Sequence, residues 1–204
     1  IKAIDEYADL VRVAAATPGN DHRLGANEAP PAIVSVFLGE QLTDILEQIE
    51  NGGATTSKQG GVLKVGVSTL PALPKDSTDR NRTSPFAFTG NKFEFRMVGS
   101  SSSIATANFI LNTIVAESLS QIADRLEKAT NFDEEVQLLL KEIVKKHKRI
   151  IFNGNGYSEE WVKEAEKRGL PNIRSTVEAI PALIKEKNIK VMEKHDMRFL
   201  LKII

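Results

Sequence analysis

A chain of 204 residues with 41% hydrophobic content can bury a real core, as one large domain or two small ones. Its 27 basic and 27 acidic residues balance and stay near neutral in both halves, which argues against nucleic acid or a membrane surface as partner. The absence of cysteine excludes a disulfide framework and thiolate metal sites and agrees with a cytoplasmic setting, while no apolar run approaches the ~20 residues needed to cross a bilayer.

No signal peptide opens the chain. Ile1 enters directly into a helical pattern (Ile4, Tyr7, Ala8, Val11), so a piece of a longer polypeptide is expected. That first helix is expected from Ile4 to about Ala16, stopped by Thr17-Pro18-Gly19-Asn20. Pro31–Leu38 is rich in β-formers behind a double proline and reads as a strand; Gly39 then leads to a helix over Leu42–Glu50. From Asn51 to Lys75 the pattern weakens around two Gly-Gly pairs, with a β-like run at Val62–Val67, and Lys92–Val98 is a second strand. Beyond residue 100 the chain turns helical. Ser103 is the expected cap of a long helix, Asn131 of the next and Ser158 of a third that ends at Gly169 and Pro171; Ser175 with Glu178 forms a capping box for a fourth. The expected class is α+β, with strands in 1–100 and a helical region in 101–204.

Three short segments can carry chemistry. In Lys92-Phe93-Glu94-Phe95-Arg96 the side chains of a strand alternate, so the two Phe share one face and Lys92, Glu94 and Arg96 the other. A carboxylate between two cations, within roughly 14 Å at ~3.4 Å per residue, suits a metal bridging an anionic substrate; an ion-pair stripe on a wet face is the commoner use of such spacing. Upstream, Arg80 and Arg82 lie in a polar loop where a guanidinium can fork onto phosphate oxygens, or simply be solvated. His22–Pro30 is a shaped loop with Glu28 as its one carboxylate, able to act as a base or to bind a cationic nucleophile, or merely to lead into the next strand. His22 reads as a turn residue, His147 and His195 as surface residues and Trp161 as core. Gly52–Gly61 lacks the order of a phosphate-binding P-loop, and Gly154-Asn155-Gly156 lacks the third glycine and the βαβ setting of a dinucleotide site; it reads as a turn before the Ser158 cap.

Taken in order, HRLGANEAP (22–30), DRNRTSPFAF (79–88) and NKFEFR (91–96) resemble glutamine synthetase, and IIFNGNGYSEEWVKEAEKRGLPN (150–172) looks like its type III class. The resemblance covers essentially the whole chain and the C-terminal portion of the enzyme's catalytic region. It implies an antiparallel catalytic sheet (residues 1–100: flap loop, phosphate loop, metal strand) followed by a C-terminal helical bundle (101–204). It further implies ATP-dependent ligation of ammonia to L-glutamate through γ-glutamyl phosphate, with Mg²⁺ or Mn²⁺, in a cytoplasmic ring-type homo-oligomer.

Carried over by motif, Glu28 is the flap glutamate that takes a proton from ammonium. Arg82 stabilises the transferring phosphoryl group, Arg23 and Arg96 bind substrate, Arg80 and Lys92 face nucleotide phosphate, and Glu94 ligates metal. Two departures stand out. About fifty residues (Pro31–Arg80) separate the flap from the Asn-Arg motif, as suits a type III insertion, and Ala87-Phe88 stands where a second arginine is expected. The family's other metal carboxylates, its metal-binding histidine and its Gly-rich glutamate-binding segment are expected upstream of Ile1, so the chain alone is expected to be inactive. A non-catalytic helical interaction module and an inactive synthetase-like protein are the alternatives.

Overall fold

The computed structural model describes residues 1–25, 31–52, 62–63, 73–74 and 84–197. The expected opening helix is two helices, α1 (Lys2–Glu6) and α2 (Ala8–Val13), broken at Tyr7 by a backbone of φ −118° and ψ 30°. Every residue of α2 is buried, charged Asp9 and Arg12 included, which makes α2 a central helix rather than an amphipathic surface one. The expected stop proves to be a start. Thr17 Oγ1 accepts from the Asn20 amide and Pro18 occupies the first turn of α3 (Pro18–Asp21), the position where a missing N–H costs nothing.

Only Val36–Phe37 (β1) of the expected 31–38 strand pairs in a sheet. The apolar run Ala32–Val34 is buried, and the backbone of this stretch bonds to segments between the later helices: Ile173 N–H donates to Ala32 O, and Phe152 N–H to Val36 O. α4 (Gly39–Asn51) begins three residues early because Asn153, far along the chain, supplies its cap: Asn153 Oδ1 accepts from both Leu38 N–H and Gly39 N–H at 3.0 Å. Gly52, at φ +93°, ends the helix in the left-handed conformation. β2 (Val62–Leu63) pairs antiparallel with β3 (Leu73–Pro74); the rest of the expected Val62–Val67 run lies outside the described residues.

β4 (Phe86–Phe88) is the centre of a three-stranded sheet, antiparallel to β5 (Phe93–Phe95) and parallel to β1. The sheet is therefore mixed, not antiparallel throughout. The connection from residue 38 to 85, which includes α4, is long enough for the crossover that a parallel pair needs. Ser103 does not hold the N-cap of α5 (Ala105–Leu126); that place is Ile104's, and Ser103 Oγ instead accepts from Ala105 N–H. Asn131, Ser158 and Ser175 do cap α6 (Phe132–His147), α7 (Glu159–Lys167) and α8 (Thr176–Ala179). Glu178 closes its box on Arg174 N–H, one residue before the cap. Pro181 sits in a 3-10 segment (Ile180–Ile184) that separates α8 from α9 (Glu186–Lys194).

α1 and α2 pack on α5, α2 also on α8 and the 3-10 segment, and α4 on α6. One apolar core results, drawing on both halves of the chain, with Trp161 at its heart. His147 is the clearest correction to the sequence reading. It is 2% exposed, with Nδ1 2.8 Å from Asp5 Oδ2, because the last turn of α6 docks on α1; Arg149 Nε donates to the other oxygen of the same carboxylate. His195 is likewise engaged, with Nε2 3.0 Å from Glu117.

Candidate substrate-facing wall

β5 has two chemically distinct faces. Its register sets Phe95 opposite Phe86 and Phe93 opposite Phe88, so four aromatic rings gather on one side; Phe86 stacks on Phe93 with centroids 5.4 Å apart. Glu94 lies opposite Ala87, whose methyl group is fully buried, so a small residue stands across from the longer carboxylate. On that second side Arg96 holds Glu94 through both Nε and Nη2, at 3.1 and 3.0 Å, while Lys92 Nζ approaches the other carboxylate oxygen at 3.6 Å. Exposure rises outward along the stripe, from 16% for Arg96 through 38% for Glu94 to 66% for Lys92. Arg96, then Lys92, hold the Glu94 carboxyl below the usual carboxylate range, so it is ionised at neutral pH.

Arg23 comes to the same place from 74 positions away. Its Nη2 donates to Met97 O at 2.7 Å, and Met97 follows Arg96 directly. Nε of Arg23 donates to Asn20 Oδ1 at 2.9 Å. Arg23 is thus fastened to the backbone at the exit of β5, one residue beyond Arg96, which itself holds the Glu94 carboxylate. Glu28, Arg80 and Arg82 lie outside the described residues. Among the described residues no group of three or more His, Asp or Glu could hold a metal ion. The arrangement can bind carboxylate or phosphate oxygens on its cations and can offer one ionised carboxylate to a cation.

Residues 135–199 match the family described as the glutamine synthetase C-terminal domain, from within α6 to past the end of α9. Across nearly its whole length the chain is 48% identical to a type-3 glutamine synthetase of Dictyostelium discoideum, over 200 residues that make up 97% of this chain and 27% of that protein. By sequence, the chain belongs to the glutamine synthetase family. It is also 43% identical to a glutamine synthetase of Butyrivibrio fibrisolvens (96% of this chain, 28% of the relative) and 47% identical to one of Bacteroides fragilis strain YCH46 (87% and 25%). The chain spans about a quarter of the length of these synthetases. Within this synthetase sequence, Asn20 escaped the reading of motifs because it stands inside what looked like a helix stop. The signal that could have found it is the spacing: an Asn in the first turn of a Pro-started helix, three residues before an arginine.

Proposed function

We propose that this chain forms one wall of the active site of an ATP-dependent glutamate–ammonia ligase. In that reaction the γ-carboxylate of glutamate takes the terminal phosphoryl group of ATP, and ammonia then displaces phosphate to give glutamine. Support comes chiefly from the Lys92–Glu94–Arg96 stripe meeting Arg23 at Met97, in a chain of the synthetase family. Arg23 and Arg96 bind glutamate by charge-assisted bonds, Lys92 with Arg80 and Arg82 faces the phosphates, and Glu28 receives the proton of ammonium. Glu94 offers one oxygen ligand to the Mg²⁺ or Mn²⁺ of the reaction. The described residues do not make up a metal site between them, so the metal's chemistry is not assigned to this chain. The same proposal carries a ring-type homo-oligomer and a cytoplasmic setting. No helix among the described residues is long and apolar enough to cross a membrane.

The purified chain is expected to form no glutamine from glutamate, ammonia and ATP; turnover by it would overturn the one-wall assignment. In a full-length type-3 synthetase carrying this sequence at the matching segment, Glu94→Ala should raise the Mg²⁺ needed for half-maximal rate by about tenfold or more. Glu28→Ala should abolish glutamine formation while ATP still binds. If the Mg²⁺ titration is unaltered, the stripe is an ordinary ion-pair surface, as in a helical interaction module, since Glu94 is already neutralised by its two neighbours.

A further inference from the structure

Asn20 is 4% exposed and every polar atom of its side chain is spent. Nδ2 donates to Ala15 O at 2.8 Å and to Met97 O at 2.7 Å, and Oδ1 accepts from Arg23 Nε at 2.9 Å. The amide orientation follows from these partners, since Nδ2 faces two carbonyls and Oδ1 faces a donor. Asn20 therefore joins the end of α2, the exit of β5 and the Arg23 side chain. Its own helix, α3, is fastened from the other side: Asp21 accepts from Arg12 Nη2 at 2.9 Å and from Thr176 N–H at 2.6 Å.

A guanidinium has two edges able to meet a carboxylate. The edge made of Nε and Nη2 is occupied in Arg23, by Asn20 Oδ1 and Met97 O. The end made of Nη1 and the second Nη2 hydrogen points away from those bonds, Arg23 is exposed, and among the described residues Nη1 has no partner. Holding one edge on the protein leaves the other aimed in a single direction. It also removes rotamer freedom before any ligand arrives.

We propose that Asn20 is a positioning residue: together with the Met97 carbonyl it locks Arg23 so that its free end presents a bidentate site for a substrate carboxylate. This rests on the assignment of Arg23 to substrate glutamate made above. The partner class is a carboxylate, because one charged fork at fixed orientation matches two coplanar oxygens.

The test is steady-state kinetics in the full-length synthetase carrying this sequence, with Arg23→Ala, Asn20→Ala, their double variant and Asn20→Asp. Asn20→Ala should raise KM for glutamate about tenfold with KM for ATP changed less than about twofold, and the double variant should be no worse than Arg23→Ala, because both act through one bond. Asn20→Asp keeps the acceptor for Arg23 but loses both amide donors. It should lose thermal stability as Asn20→Ala does, yet keep KM for glutamate within about threefold of the parent. An unchanged glutamate KM in Asn20→Ala, fully additive effects, or equal losses for both substrates would overturn the proposal. So would a failure of both Asn20 variants to fold, which would make Asn20 scaffold only. An Arg23→Ala enzyme with normal glutamate KM would instead overturn the Arg23 assignment beneath it.

Discussion

Arg12 is a buried cation that ties the first helices to a residue 161 positions away. It is 1% exposed and donates from Nε to Ile173 O and from Nη2 to Asp21, while its Nη1 has no hydrogen-bond partner among the described residues. A buried cation is costly unless paired, and here the pairing also anchors the helix beneath Arg23. Burial pushes the Asp21 carboxyl up, but bonds from Thr176 and Arg12 outweigh this and hold it below its ordinary value. Arg12→Ala leaves Asp21 half-partnered and the Ile173 carbonyl without its donor. The expected loss is about 3 kcal/mol or more, read from urea unfolding. Trp161, the one tryptophan of the chain and 2% exposed, reports the transition by fluorescence.

At the scale of elements, the IIFNGNGY segment is a fastening rather than a binding loop. Asn153 caps α4 through Oδ1 and reaches Thr43 Oγ1 through Nδ2 at 2.8 Å, tying two halves of the chain. Asn153→Ala should cost about 1–2 kcal/mol in the same unfolding assay, as caps do. Gly154 is needed for a different reason. A Cβ there would stand 2.6 Å from the Phe152 ring, which is itself stacked 3.8 Å from Trp161. Gly154→Ala should destabilise by about 1–3 kcal/mol through overpacking and shift the Trp161 emission of the folded state. Asn155 completes the turn by accepting from Tyr157 N–H, and Ser158 then starts α7.

For the whole molecule, α9 meets the long helix α5 at a charged junction, beside the buried Val191 and Met192. Glu117 on α5 accepts from Lys194 at the end of α9 and from Gln121, and meets His195 at 3.0 Å. Burial pushes this carboxyl up, but those partners outweigh it and bring it from 4.5 down to about 2. Because the folded-state carboxyl ionises more readily than that of the unfolded chain, its contribution to stability is full above about pH 4.5 and fades as pH falls toward 2. Glu117→Gln should therefore be less stable than the parent near neutrality, with the gap in urea midpoint closing through that acidic window. A gap constant with pH would show that the α5–α9 contact is held by packing alone.

Much was legible from local signals because their physics is local. The caps at Asn131, Ser158 and Ser175, the end of α7 at Gly169 and the two-faced strand at Phe93–Phe95 each depend on residues within a few positions. The motifs at 22–30, 79–88, 91–96 and 150–172 likewise sufficed to place the chain among the glutamine synthetases. What they could not supply was anything set by a distant partner. The cap that Asn153 lends to α4 and the parallel pairing of β1 with β4 arise from elements far apart in sequence. So does the burial of His147: a histidine among lysines reads as surface until α1 brings Asp5 to it. The candidate site divides the same way. Alternation along one strand aligns Lys92, Glu94 and Arg96, whereas only the folded chain brings Arg23 to Met97 and spends Asn20 on holding it there. Side-chain periodicity is a property of the backbone and survives without a fold; the bond of Arg23 to a backbone carbonyl 74 positions away exists only once the core has closed.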